Sequence, residues 1–223
     1  IGRVFAPGGE GMAENRTVAL LLTGNRHAAF WQGDDAKLDA MDLKGAVEAL
    51  LDSLGVFGVQ FARREEATAL FVESAELKMG KQVIGQLGQL LPTLGKQYEA
   101  RDAVFLAELN LDVLLQRRTT NKSFKALAQF PASERDVAML VPEAVTHAEV
   151  LAVVKKAKPA NLVDTRLFDV FRGKNVPEGQ KSLAYSFTYR SAEGTLTDKA
   201  VNGAHEPLVA ALQSQLNATI RDT

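Results

Sequence analysis

Cysteine is absent from the 223 residues, and histidine occurs only as His27, His147 and His205, far apart along the chain. The first absence excludes a disulfide scaffold, thiolate zinc and iron–sulfur centres, and a cysteine nucleophile. Long hydrophobic runs are missing too: Val18–Leu22 and Ala138–Val141 fall far short of the ~20 apolar residues that span a bilayer. With no charged leader and cleavage site at the start, a cytoplasmic location is expected. Neither sign of charge dominates, since 26 Lys+Arg meet 27 Asp+Glu. What is present, 46% hydrophobic and 24% charged residues, is the composition of a folded chain with a substantial core. At ~100–200 residues per domain, two domains are expected. The chain opens on Ile1 rather than Met, from which we expect a processed product or a piece of a longer polypeptide.

Residues 1–115 read as a mixed α and β domain with antiparallel pairing. Val18–Leu22 is a short strand stopped by Thr23, Gly24 and Asn25. Leu43–Leu54 is the clearest helix, with Val47, Leu50, Leu51 and Leu54 on one face, Asp42 as its expected cap and Gly55 after its end. Phe57–Phe61, Ala69–Val72, Gln82–Leu87 and Val104–Leu109 read as short strands, with bulges or turns expected at Gly85 and Gly88. A short helix is expected after Pro92. The polar stretch around Gln116–Lys125 has no hydrophobic period, so a linker is placed over 116–130.

From 131 to 223 the pattern is strand Arg135–Val141, helix Ala148–Ala157 capped by Thr146, strands Leu162–Phe171 and Ser182–Tyr189, helix Lys199–Leu216 and strand Ala218–Arg221. That β-α-β-β-α-β order predicts a ferredoxin-like domain, two helices on one face of a four-stranded sheet and the other face open. Period two along the strands sorts the side chains. Leu183, Tyr185, Phe187 and Tyr189 share a face that belongs under the helices. If Phe168 and Val170 join them, Asp169 and Phe171 project beside Ser182 on the open side. Residues 131–223 hold eleven basic and eleven acidic side chains, so a broad phosphate-gripping surface is not indicated. Between 166 and 190, however, Arg166, Arg172, Lys174, Lys181 and Arg190 meet only Asp169 and Glu178. A ring, a hydroxyl and local cations together suit single-stranded RNA, whose bases stack on aromatics.

Three blocks then carry a resemblance: Leu167-Phe168-Asp169-Val170-Phe171-Arg172-Gly173, Gly179-Gln180-Lys181-Ser182-Leu183-Ala184-Tyr185, and Thr195-Leu196-Thr197-Asp198. In that order they resemble the C-terminal anticodon-binding domain of the bacterial phenylalanyl-tRNA synthetase β-subunit family. Upstream, Gly2-Arg3-Val4-Phe5, Leu22-Thr23-Gly24-Asn25-Arg26, Trp31, Asp42-Leu43-Lys44-Gly45, and Ile84-Gly85-Gln86-Leu87-Gly88 with Leu91-Pro92 are similar to that family's catalytic-like domain. One departure falls at Leu70-Phe71-Val72-Glu73-Ser74-Ala75, which lacks the family's His-Pro-Gly and leaves the local turn open.

The resemblance implies an α+β chain: a class II synthetase-like antiparallel sheet domain without a working active site (1–115), then the ferredoxin-like anticodon-binding domain (131–223). It also implies a division of labour. An α subunit uses ATP and magnesium to activate phenylalanine and charge tRNA, and two α with two β subunits form the ligase. This chain would bind the anticodon of phenylalanine tRNA, with no cofactor, metal or membrane of its own. By position, Phe171 takes the place of a base-stacking aromatic, Asp169 and Ser182 those of hydrogen-bonding groups, and Arg172 and Lys181 flank them as RNA-binding cations. No catalytic residue is expected. Arg63 and Glu65 superficially fit an ATP-site Arg-x-Glu, but no glycine-rich segment supplies the second arginine that developing phosphate charge requires; the Arg63–Glu66 cluster reads as a solvated turn. His147 reads as a first-turn helix residue and His205 as a surface residue before Pro207. The alternative function is a non-enzymatic ferredoxin-like scaffold whose open face meets protein.

Overall fold

Antiparallel pairing organises both halves of the chain. The computed structural model describes residues 1–8, 11–28, 31, 36–66, 68–119, 126–174 and 176–221, and divides into two compact units, residues 1–124 and 125–223.

The first unit is a six-stranded sheet of β1 (Gly2–Gly8), β2 (Gly11–Thr23), β3 (Gln60–Arg63), β4 (Phe71–Met79), β5 (Gln82–Leu90) and β6 (Val104–Asn110), in the order β1-β2-β6-β5-β4-β3. Its helices are α1 (Ala40–Leu54), α2 (Pro92–Gln97) and α3 (Leu111–Arg117). Helix α1 is capped by Asp39, not by the expected Asp42. The Asp39 carboxylate accepts from the Met41 and Asp42 amides, and the Asp42 carboxylate accepts in return from the Asp39 amide. That returned amide bond, helped by Arg26, holds the Asp42 carboxyl below its ordinary range. Leu43, Val47 and Leu51 of α1 are buried in one cluster with Leu87, Ala107 and Leu109 of the sheet and Leu114 of α3.

Several expected boundaries move. The strand expected over 57–61 begins at Gln60, because Gly58 at φ 76° breaks the extended run and leaves Phe57 exposed. The strand expected at 69–72 begins at Phe71, where the Thr68 hydroxyl accepts from the amides of Leu70 and Phe71 and holds a turn. The stretch lacking His-Pro-Gly is continuous strand, bulged at Val72 between the pairs Phe71↔Leu90 and Glu73↔Gln89. Gly85 and Gly88 are strand residues, not turns: a methyl on Gly85 would stand 2.5 Å from the Glu108 carbonyl oxygen, and one on Gly88 would meet the Glu73 carbonyl and the Phe71 ring. The expected linker over 116–130 starts inside α3, whose Asn110 cap accepts from the Val113 amide; residues 120–125 of that linker lie outside the described residues.

The second unit comprises β7 (Ser133–Pro142), α4 (His147–Ala157), β8 (Leu162–Phe171), β9 (Gln180–Tyr189), α5 (Asp198–Leu216) and β10 (Thr219–Arg221), with sheet order β10-β7-β9-β8. It is a ferredoxin-like βαββαβ arrangement. Thr146 and Glu149 form a capping box on α4. Val137, Met139 and Val141 of β7, the four bulky residues of β9, and Val150, Val153, Val154, Val201, Leu208 and Leu212 of the helices make one core. Two histidines meet its tyrosines from the helices. The Tyr185 hydroxyl lies 2.7 Å from His147 Nδ1 and the Tyr189 hydroxyl 2.9 Å from His205 Nδ1, so His205 is a partly buried α5 residue and not a surface one. Burial pushes both tyrosines up to about 12 and His205 down.

Candidate nucleic-acid interface

Paired residues on neighbouring antiparallel strands point to the same side of a sheet, so register settles which groups share the face without helices. Phe171 pairs with Ser182 and Asp169 with Ala184, while Val170 pairs with Leu183 and Leu167 with the buried Tyr185. Asp169, Phe171 and Ser182 therefore stand on the open side. The route to that arrangement differs from simple alternation. Register shifts between Leu167 and Asp169, so Phe168 is a bulge residue, 51% exposed, rather than a core residue, and Leu167 takes its place against the core. Without the bulge, Leu167 and Asp169 would share a face.

The three groups are unequally accessible. Phe171 is 45% exposed, while Ser182 is only 6% exposed. Leu140 pairs with Ser182 from the β7 side, and Ala138 with Ala184. The result is a recessed hydroxyl, one leucine and two alanine methyls beside an exposed ring.

The flanking cations are held by a residue that the charge pattern did not suggest. Glu143, in the turn after β7, accepts from Arg172 through Nε at 3.0 and 3.2 Å and through Nη2 at 2.6 Å. Its backbone carbonyl accepts from Lys181 Nζ at 2.8 Å. Lys181, expected to flank Phe171 as an RNA-binding cation, pairs with the buried Val141 and is only 12% exposed at its side chain, so it stands on the helix side and not on the open face. The Arg172 guanidinium holds the Glu143 carboxyl below its ordinary range, and Glu143 raises Arg172 in return. Counting charges within 166–190 misses this carboxylate because it arrives from the turn after β7. Arg190 stands at the far end of β9, away from Phe171, with its Nε buried and without a partner among the described residues.

Further along the open face the character changes. Ser186 lies between Asp136 and Arg166, and Thr188 between Glu134 and Asp164. Phosphate is therefore better received at the Phe171 end, away from these three carboxylates.

The first unit also has a face turned away from α1 and α3, and there the charges are paired. Glu76, Gln86 and Glu108 form one rung across β4, β5 and β6. Arg64 donates to Glu76 at 2.7 Å and to Gln86 at 3.3 Å, Lys78 reaches Glu76 at 2.7 Å, and Gln86 bridges to Glu108 at 3.5 Å. Lys78 and Arg64 hold the Glu76 carboxyl below its ordinary range. Arg64 is thus a network residue and not part of a solvated turn.

The profile described as "Ferredoxin-fold anticodon binding domain" matches residues 128–221, and that described as "Phenylalanyl tRNA synthetase beta chain CLM domain" matches residues 1–111. Fold and profiles together define a synthetase chain that carries a ferredoxin-fold anticodon-binding domain. The phenylalanine–tRNA ligase beta subunit of Clostridium acetobutylicum is 34% identical over 225 residues, covering 99% of this chain and 27% of its own length. That of Syntrophotalea carbinolica is 37% identical over 93% of this chain and 26% of its own length, and that of Geobacillus kaustophilus 34% over 99% and 28%. The chain belongs to the phenylalanine–tRNA ligase β-subunit family, and it spans about a quarter of the length of these relatives.

Proposed function

We propose that this chain is the tRNA-reading, non-catalytic part of a phenylalanine–tRNA ligase β subunit, and that the open face of its second unit binds the anticodon of phenylalanine tRNA. An α subunit, joined with β in a two-α two-β assembly in the cytoplasm, supplies the ATP- and magnesium-dependent charging. The observation that carries the reading is the half-exposed Phe171 ring next to Asp169 on a sheet face without helices, together with membership of the family.

Chemically, Phe171 stacks on an anticodon base, and the Asp169 carboxylate accepts from the donor edge of a guanine there. A carboxylate near RNA repels phosphate, so it is useful only where it reads donors. Ser182 supplies a hydroxyl from below the ring. Arg172, tempered by Glu143, adds a salt-sensitive term through phosphate, and Lys181 adds to it only as a charge from the helix side.

Binding of anticodon stem-loops with and without the guanine tests the reading. Phe171→Ala weakens binding by ~1–3 kcal/mol, the range for one base on one ring. Asp169→Ala mainly erodes the preference for guanine. Unchanged affinity and base preference in both variants would overturn the assignment and favour a protein-binding face.

A further inference from the structure

Two glycines flank the loop between β8 and β9, and they are glycines for different reasons. Gly179 has φ 78°, a left-handed conformation that favours glycine whatever surrounds it. Gly173 is not in that region, so its backbone accepts an alanine. What it lacks is room. A methyl on Gly173 would stand 2.5 Å from Phe171 Cζ, 3.0 Å from Cε1 and 3.3 Å from Cε2. The nearest atoms are thus the far end of a side chain that turns about two bonds, and the clash is relieved by moving the ring and not the fold.

Hydrogen bonds tie the turn that begins at Gly173. Arg172 is fixed to Glu143 by its forked contact. The Gly173 carbonyl accepts from the Val176 amide at 2.9 Å and closes the turn. The Glu143 amide donates to the Gly179 carbonyl at 2.9 Å, which ties the end of the loop to the same residue. With its surroundings fixed in this way, the bare Cα of Gly173 defines where the Phe171 ring comes to rest. A ring already held in its binding orientation loses less freedom when a base stacks on it.

We propose that Gly173 is a positioning residue for Phe171: the space left by its missing side chain seats the distal end of the ring and so sets the orientation in which the ring meets an anticodon base. The inference rests on the anticodon-binding reading above and deepens it, because it makes base stacking depend on a residue that touches no RNA.

The test uses the full-length chain and two readouts. Without RNA, the Gly173 Hα resonances are displaced by the ring current of Phe171, and the displacement disappears in Phe171→Leu. With an anticodon stem-loop as probe, Gly173→Ala weakens binding about fivefold or more, the lower end of what one stacked base contributes, with no change in the thermal midpoint. In the Phe171→Leu background, where the distal ring atoms are gone, Gly173→Ala has no further effect on binding. If Gly173→Ala binds like the parent while Phe171→Ala does not, this inference fails and the anticodon-binding reading stands. Losses that add in the double variant, or undisplaced Gly173 resonances, also overturn it. If Phe171→Ala itself leaves binding unchanged, the anticodon-binding reading fails and this inference with it.

Discussion

The two units solve the same packing problem and then diverge on the face left over. Each buries one side of an antiparallel sheet under helices, the first through α1 and α3 and the second through α4 and α5. On the other side the first unit ties Arg64, Lys78, Glu76, Gln86 and Glu108 to one another. The second leaves Phe171 half exposed with Asp169 beside it, and holds Arg172 at the rim through Glu143. An uncovered sheet is therefore not by itself a binding surface. A face whose polar groups are already paired is the poorer candidate, because a ligand must break existing pairs before it gains new ones.

The largest expected effect tests whether the units are separate cores. Leu212, on α5, is fully buried, so Leu212→Ala should cost ~2–5 kcal/mol through lost burial and the cavity left behind. Amide exchange should show that loss across 131–221 and little change over 1–117. Parallel loosening of both regions would mean one cooperative unit and would break the comparison.

A smaller effect distinguishes the two cores by pH. Burial depresses His205 in the folded state, so the neutral form is favoured there and its contribution is present above the ordinary histidine value and lost as pH falls below it. Tyr185 and Tyr189, raised to about 12, contribute fully below the ordinary tyrosine value near 10 and lose that contribution as pH rises through about 12. Denaturant midpoints of the second unit should therefore fall at both ends of the pH range, and His205→Gln should flatten the acid limb. An acid limb unchanged by His205→Gln would remove His205 from this account.

The smallest expected effect is none. Because Arg64 already serves Glu76 and Gln86, Arg64→Met should leave stem-loop affinity and its salt dependence unaltered in fluorescence titrations. A shallower salt slope would place RNA on the first unit as well.

Much of this was legible in the sequence where local rules decide. The β9 row Leu183, Tyr185, Phe187 and Tyr189 alternates strictly, so its buried face could be read directly, and Thr146 with Glu149 announces the start of α4. What stayed hidden depends on partners distant in sequence. Phe168 leaves the core because of a register shift against β9, and the heptapeptide alone does not contain that register. Asp39 and Asp42 both have capping chemistry, and only the backbone turn decides which one caps. His205 looked like a surface residue because Pro207 follows it, yet α5 continues through that proline and carries His205 to Tyr189. Glu143 lies outside the charged stretch it controls.

The bulge at Phe168 has one more consequence. β8 is an edge of its four-stranded sheet, and Val163, Phe168, Val170 and Phe171 give that edge a succession of exposed apolar side chains. A long, flat strand of this kind invites another chain to extend the sheet. The two register shifts of β8, at Val163 and at Phe168, break its unpaired amides and carbonyls into short segments and twist the strand. The irregularity that returns Leu167 to the core side and leaves Phe168 outside thus also interrupts the edge on which a second chain would have to pair.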